Sequence, residues 1–379
     1  MTETVFRNGR IVLPDDVIRA DVVVRGGAIA VVDDPGPGHA GVDLDGDWLI
    51  PGLVELHTDH LEGHYAPRPR VRWNPVAAVQ AHDAQIATSG ITTVFDALRV
   101  GMDDDTKLEA SDMRTLAAAI EDSQRQGRLR AEHFIHLRCE VSAPDVLEGF
   151  AAFENDTRVR IASLMDHTPG QRQFTSLDAF RVYYQGKSGM SDTDLEALIV
   201  KRQAQAEKAS AFNRQAIAEI ARARGIVLAS HDDATEDHVA EAAEHGVTLA
   251  EFPTTHAAAA ASHAAGLKVL MGAPNIVRGG SHSGNIAAHD LVGAGLLDVL
   301  SSDYFPFSLI HATFILGEAE GGRGLPAAVA MVTANPARVA GLNDRGAIVE
   351  GMRADLVQVR VTEHVPVVRA VWREGVRVV

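Results

Sequence analysis

Pro51-Gly52-Leu53-Val54-Glu55-Leu56-His57-Thr58-Asp59-His60-Leu61-Glu62 is the stretch from which the rest of the chain can be read. It begins as an apolar run with the character of a buried strand and ends in polar groups able to hold a metal. Side chains at i and i+2 share a face of a strand, so His57 and Asp59 can both face one ion while Thr58 turns away. Taken alone, a His-x-Asp pair is equally the end of a buried strand running into a surface turn. The remainder of the chain decides between these readings.

The 379 residues are 46% hydrophobic and 23% charged, enough to bury a large core and too apolar for a disordered chain. Cys139 is the only cysteine, which excludes an intrachain disulfide, and no N-terminal stretch combines a basic segment with an apolar core. A cytoplasmic protein is expected. No apolar run approaches the roughly 20 residues of a membrane span. A formal charge of -16 argues against nucleic acid and anionic membranes as partners. The expected partner is a small molecule, and a homodimer is the expected assembly.

Both ends have strand character. Thr4 to Leu13, Asp21 to Val32 and Val42 to Ile50 are punctuated by Asn8-Gly9, Gly26-Gly27 and Pro35-Gly36-Pro37-Gly38, and Arg345 to Val349, Ala354 to Val361 and Pro366 to Val379 are again rich in Val. Half-sheets from the two ends can cover their apolar faces most simply against each other, which predicts a small composite β-sandwich from residues 1–50 and 344–379.

Between them, over residues 51–343, strand-like runs alternate with Ala-rich helical segments, the pattern of a parallel sheet with crossover helices. The strand candidates are Leu53 to Leu56, Ile91 to Phe95, Phe134 to Arg138, Val159 to Met165, Ile226 to Ser230, Thr248 to Glu251, Lys268 to Met271 and Asp298 to Ser301. Eight such units predict an α/β fold built as a closed (β/α)8 barrel of TIM type. Pro75 to Ser89, Ser111 to Gln126, Asp192 to Arg224 and Thr235 to Glu244 are expected helices, with 192–224 long enough for two helices or one arm.

Reactive groups of such a barrel sit where its strands end. The polar residues there are His57 and Asp59, Asp96, Glu140, Asp166 and His167, His231 and Asp232, and Asp303. Imidazoles and carboxylates without thiolates suit an open catalytic site for divalent metal, zinc first, then manganese or iron. Two ions are held best by a shared carboxylate, for which Glu140 is the choice, and paired ions can activate a water and clamp the oxygens of a displacement. Asp303 is placed both to ligate metal and to accept the proton of the attacking water. Its other reading is the N-cap of a helix over Phe305 to Ile315.

The order His-x-Asp, Glu, His, His, Asp on a barrel flanked by strands from both termini resembles the amidohydrolase superfamily. A finer resemblance is to the diphosphatase family of the carbon-phosphorus lyase pathway, which acts on α-D-ribose 1-methylphosphonate 5-triphosphate. It is carried by Leu56-His57-Thr58-Asp59 with Leu61-Glu62 and Pro67-Arg68-Pro69, by His82-Asp83 and Gly90-Ile91-Thr92-Thr93-Val94, by Met165-Asp166-His167-Thr168-Pro169-Gly170-Gln171, and by Gly272-Ala273-Pro274-Asn275 with Arg278-Gly279-Gly280-Ser281. The chain departs from the superfamily in carrying Asp59 where a second histidine is usual, and from the finer family at His60, Gly63 and Tyr65.

A triphosphate needs local cations that outweigh the negative global field. Arg68, Arg70 and Arg72 alternate just past the first ligand pair, and Arg99, Arg138, Arg172, Lys187 and Arg278 lie near strand ends or their loops. Arginine's planar fork suits phosphate oxygens. Gly279 to Asn285, with Ser281, forms a loop whose amides can approach an anion ahead of a helix-like Ile286 to Leu297. The resemblance and these cations together imply hydrolysis at the α-phosphorus with pyrophosphate leaving. In this reading His57, Asp59, Glu140, His167, His231 and Asp303 hold metal. The alternatives are an amidohydrolase that opens a cyclic amide or deaminates a heterocycle, and a non-catalytic scaffold barrel. A scaffold has little reason to keep six buried polar groups that are costly when unpaired.

Overall fold

The computed structural model describes residues 3–33, 41–101, 108–172, 177–188, 190–281, 284–318 and 324–379. The N-terminal strands are β1 (Glu3–Val12), β2 (Val17–Arg25), β3 (Ala28–Asp33), β4 (Val42–Asp43) and β5 (Trp48–Pro51). Gly26 and Gly27, both at positive φ, make the tight β2–β3 turn that a right-twisted hairpin requires. The barrel strands are β6 (Leu53–Thr58), β7 (Ile91–Val100), β8 (Glu132–Glu140), β9 (Val159–Met165), β10 (Val227–His231), β11 (Leu249–Glu251), β12 (Lys268–Gly272) and β13 (Val299–Ser301). The chain ends in β14 (Leu356–Thr362), β15 (Val365–Arg373) and β16 (Val376–Arg377).

Strands β6 to β13 lie side by side in chain order, all parallel. The first and last meet through a single parallel bridge between Thr58 and Asp303, so the sheet is a nearly closed barrel of TIM type. A latch reinforces that seam: the Ser301 hydroxyl lies 2.7 Å from the Glu55 carboxylate and 2.6 Å from the His57 carbonyl, and the Ser302 amide donates to Glu55 at 2.5 Å. Val54, Leu56, Phe95, Ile161, Ala229, Leu249, Leu270 and Val299 fill the interior.

The two chain ends join edge to edge. β5 pairs antiparallel with β14 (Leu356 opposite Pro51) and parallel with β1, giving one sheet in the order β16-β15-β14-β5-β1-β2-β3. Unpaired edge amides and carbonyls are costly, and each end supplies what the other lacks. The apolar faces still meet, since Phe6 packs edge-on against Trp372 at 4.8 Å within a core drawn from both ends. Arg345 to Val349 does not form a strand. Its Arg345 is buried and donates to Glu132 at 2.5 Å and to Thr93 at 2.9 Å, tying the C-terminal segment to the barrel.

The connection from β6 to β7 carries two helices, α1 (His60–Tyr65) and α2 (Pro75–Thr88). The segment 192–224 is one 33-residue helix, capped by the Ser191 hydroxyl and ended by Gly225 in the left-handed region. Only Ala288–Gly293 of the expected 286–297 segment is helical, and the helix after Asp303 begins at Phe307. Asp303 is therefore a strand-end residue and not a cap. No helix among the described residues is long and apolar enough to cross a membrane.

Candidate active site

Strand ends of the barrel converge on one cluster. His57, on β6, and His231, at the end of β10, each place Nδ1 3.2 Å from the fully buried Glu251 carboxylate that ends β11. Their rings stack at 5.5 Å. His167 follows β9 and places Nδ1 2.6 Å from Glu140, the last residue of β8. All three imidazoles thus have Nδ1 against a carboxylate, which leaves Nε2 as the nitrogen with a free lone pair. Nε2 of His231 and of His167 face the same Asp232 oxygen, at 3.5 and 3.9 Å.

That Asp232 oxygen is buried without a hydrogen-bond partner, and His167, His231 and Asp232 bring one ligand atom each within 4.8 Å of the others. Orphaned carboxylate oxygens are costly in a protein interior. On the other flank, Arg138 holds Asp59 at 3.1 Å, and Asp303 shares the electrostatic field of Asp59, His57 and Arg138. Burial, and then the Asp59 charge, push the Asp303 carboxyl above its ordinary value although His57 and Arg138 oppose this. Burial also drives Glu62, on α1, up to about 7 against the pull of Arg138. Burial would raise Glu251 too, but the facing His57 and His136 hold it well below the carboxylate range. His57 shows the converse balance: burial pulls it down and the Glu251 charge more than restores it.

Backbone strain collects at the same rim. Asp232, Phe252 and Asp303, each just past a strand, have φ of 58, 53 and 55°, a region sparsely used outside glycine. An orphaned oxygen, paired carboxylates and oriented imidazoles are what a divalent cation would satisfy, and nitrogen with oxygen donors suits zinc, manganese or iron. The donor set fits.

The structure therefore gathers His57, Asp59, Glu140, His167, His231 and Asp303, with Arg138 and with Arg99, which donates to Glu140 at 3.3 Å. In this structure the Glu140 carboxylate is contacted by His167, Ser142 and Arg99, while the carboxylate that contacts both His57 and His231 is Glu251. A small, partly open cleft lies between Glu140, Ser142, His167, Arg202 and Gln205. Asp96 is not at the rim. It faces outward from mid-β7, fully buried, between His82 and His133 at 2.7 and 2.8 Å. Arg172 is buried and engaged by Asp233 and Glu241, so it is spent within the protein. Arg68, Arg70 and Arg278 are exposed. Ser281 is half-buried, His282 and Ser283 beside it lie outside the described residues, and so does the side chain of Lys187. Sequence reading missed Glu251 and gave Asp232 no role. The available signal was position, since both directly end barrel strands.

An amidohydrolase family model matches residues 77–379. The chain belongs to the amidohydrolase family. It is 46% identical over 376 residues, 99% of this chain and 100% of the relative, to the α-D-ribose 1-methylphosphonate 5-triphosphate diphosphatase of Escherichia coli (strain K12). Among solved structures, N-acetylglucosamine-6-phosphate deacetylase from Pasteurella multocida superposes with a TM-score of 0.64 at 14% identity, covering 99% of both chains. A D-hydantoinase gives a TM-score of 0.54 at 15% identity, covering 100% of this chain and 95% of the other. These two likenesses concern the fold, an amidohydrolase barrel with its attached sheet.

Proposed function

We propose that this amidohydrolase cleaves the α-β phosphoanhydride of α-D-ribose 1-methylphosphonate 5-triphosphate: water adds to the α-phosphorus, pyrophosphate leaves, and ribose 1-methylphosphonate 5-phosphate remains. The observation that carries the reading is the 46% identity to that diphosphatase along the whole of both chains, terminal sheet and barrel alike. The rim supports it chemically. His57, Asp59, His167, His231, Asp232 and Asp303 would hold two divalent ions, zinc by donor type, which when bound supply Lewis-acid polarisation of phosphoryl oxygen and a more acidic water. Glu251 and Glu140 fix the imidazoles in the tautomer that ligates. Asp303, its carboxyl raised by burial and Asp59, accepts the proton of the attacking water. Arg138 and Arg99 offer guanidinium groups at the reacting end, while Arg68, Arg70, Arg278 and Ser281 receive the outer phosphates. Residues 51–343 form the catalytic barrel, and 1–50 with 344–379 one supporting domain.

The test is pyrophosphate release, followed by phosphorus NMR, from the ribose triphosphate and a panel of other triphosphates with zinc, manganese or iron. Release from the ribose compound with the phosphonate retained supports the reading. No release with any metal, together with opening of a hydantoin or dihydroorotate ring, replaces it by the cyclic-amide alternative.

A further inference from the structure

A second group of histidines lies apart from the rim. His60 and His64 are four residues apart on α1, so both rings project from one side of that helix, 4.8 Å centre to centre. His82, on α2, stands against both with ring centres 6.0 Å from each. One ring nitrogen from each of the three falls within 4.8 Å of the others. His82 is completely buried, and its Nε2 lies 2.7 Å from Asp96, where it donates. Its Nδ1 then carries the lone pair, and that atom is buried with no partner, as is Nδ1 of His60. His64 places Nε2 3.3 Å from the Gln85 side-chain oxygen, which again leaves Nδ1.

Asp96 is itself anchored, its second oxygen lying 2.8 Å from His133. The line from Asp96 through His82 to an open Nδ1 is the carboxylate–imidazole arrangement that presents a histidine to a metal. We propose that His60, His64 and His82 bind a transition-metal ion at a site separate from the strand-end rim. Three imidazoles without thiolate or carboxylate donors select zinc, copper or nickel over magnesium and calcium.

His60 and His64 are only half-buried, so an ion can enter from solvent. Its effect would be to pin α1 to α2. Glu62 projects from α1 about 200° round the turn from His60, toward the field of Arg138, Asp59 and Arg99. The ion would thus act as a positioning element for Asp59 and Glu62, without touching substrate.

The proposal stands independently of the phosphoanhydride reading, because its test counts metal and not turnover. Full-length protein stripped by chelator is titrated with zinc, and bound metal is counted by mass spectrometry and calorimetry. His60→Asn/His64→Gln is expected to bind one equivalent fewer than the wild type, while His167→Asn, altered at the rim, keeps that equivalent. Circular dichroism checks that the variants are folded. If the double variant does not fold, His64→Gln, at a half-exposed position, carries the comparison. A folded variant that binds as much zinc as the wild type overturns the proposal and leaves a metal-free imidazole cluster.

Discussion

At the residue scale, Glu251 has the largest predicted effect for its size of change. Glu251→Gln keeps the shape but removes the charge on which two imidazoles are oriented, and one of its two contacts must then be lost or inverted. Metal affinity at the rim is expected to fall about 10- to 100-fold, read by metal titration, with turnover falling alongside. Unchanged affinity would show that His57 and His231 orient themselves. The arginines divide by burial. Arg68, Arg70 and Arg278 are exposed, so Ala at each should raise KM for a triphosphate roughly tenfold or more while leaving stability alone, an effect that added salt reduces. Arg172 is buried against Asp233 and Glu241, so Arg172→Ala should instead cost about 3–5 kcal/mol in denaturant unfolding by leaving a buried carboxylate unpaired. A stable Arg172→Ala protein with a raised KM would reverse that division.

At the element scale, the start of β8 is the point where the barrel holds the C-terminal segment. Glu132 accepts from Arg353 at 2.6 Å and from Arg345 at 2.5 Å. Burial would raise its carboxyl, but the Arg353 hydrogen bond and the Arg345 charge leave it below its ordinary 4.5. A depressed folded value means that the stabilisation is complete above the unfolded value, about 4.5, and is lost as pH falls through the folded one. Glu132→Gln should therefore lower Tm at neutral pH by the equivalent of roughly 1.5–3 kcal/mol, and the gap to the wild type should narrow as pH falls below the unfolded value. A gap independent of pH would mean that packing, not charge, holds this joint. The periodic pattern predicted the barrel strands at their observed places and the 192–224 helix at its observed ends, because strand alternation and helix capping are local properties. It overran at Arg345 to Val349, where valine and isoleucine read as strand but a buried Arg345 needs partners on β8 more than a sheet neighbour.

At the scale of the whole molecule, the terminal sheet exists only if both ends are present. Removing residues 344–379 deletes the partner of β5 and exposes the core around Phe6, Ile11 and Leu49, so the truncated chain is expected to aggregate, as size-exclusion chromatography would show. A monomeric, active truncation would separate the barrel from its sheet. The amino-acid sequence by itself determined the alternation of eight strand and helix units and the strand character of both ends, since each depends on neighbours a few residues apart. Only the tertiary structure decided that Glu251 orients His57 across 194 residues of chain, that Asp96 turns outward to His82, that Arg172 is consumed internally, and that α1 and α2 bring three histidines together. The physical reason is range: periodicity states which face a side chain is on, whereas its partner across a closed barrel is chosen by strand register and helix packing, which no local pattern encodes.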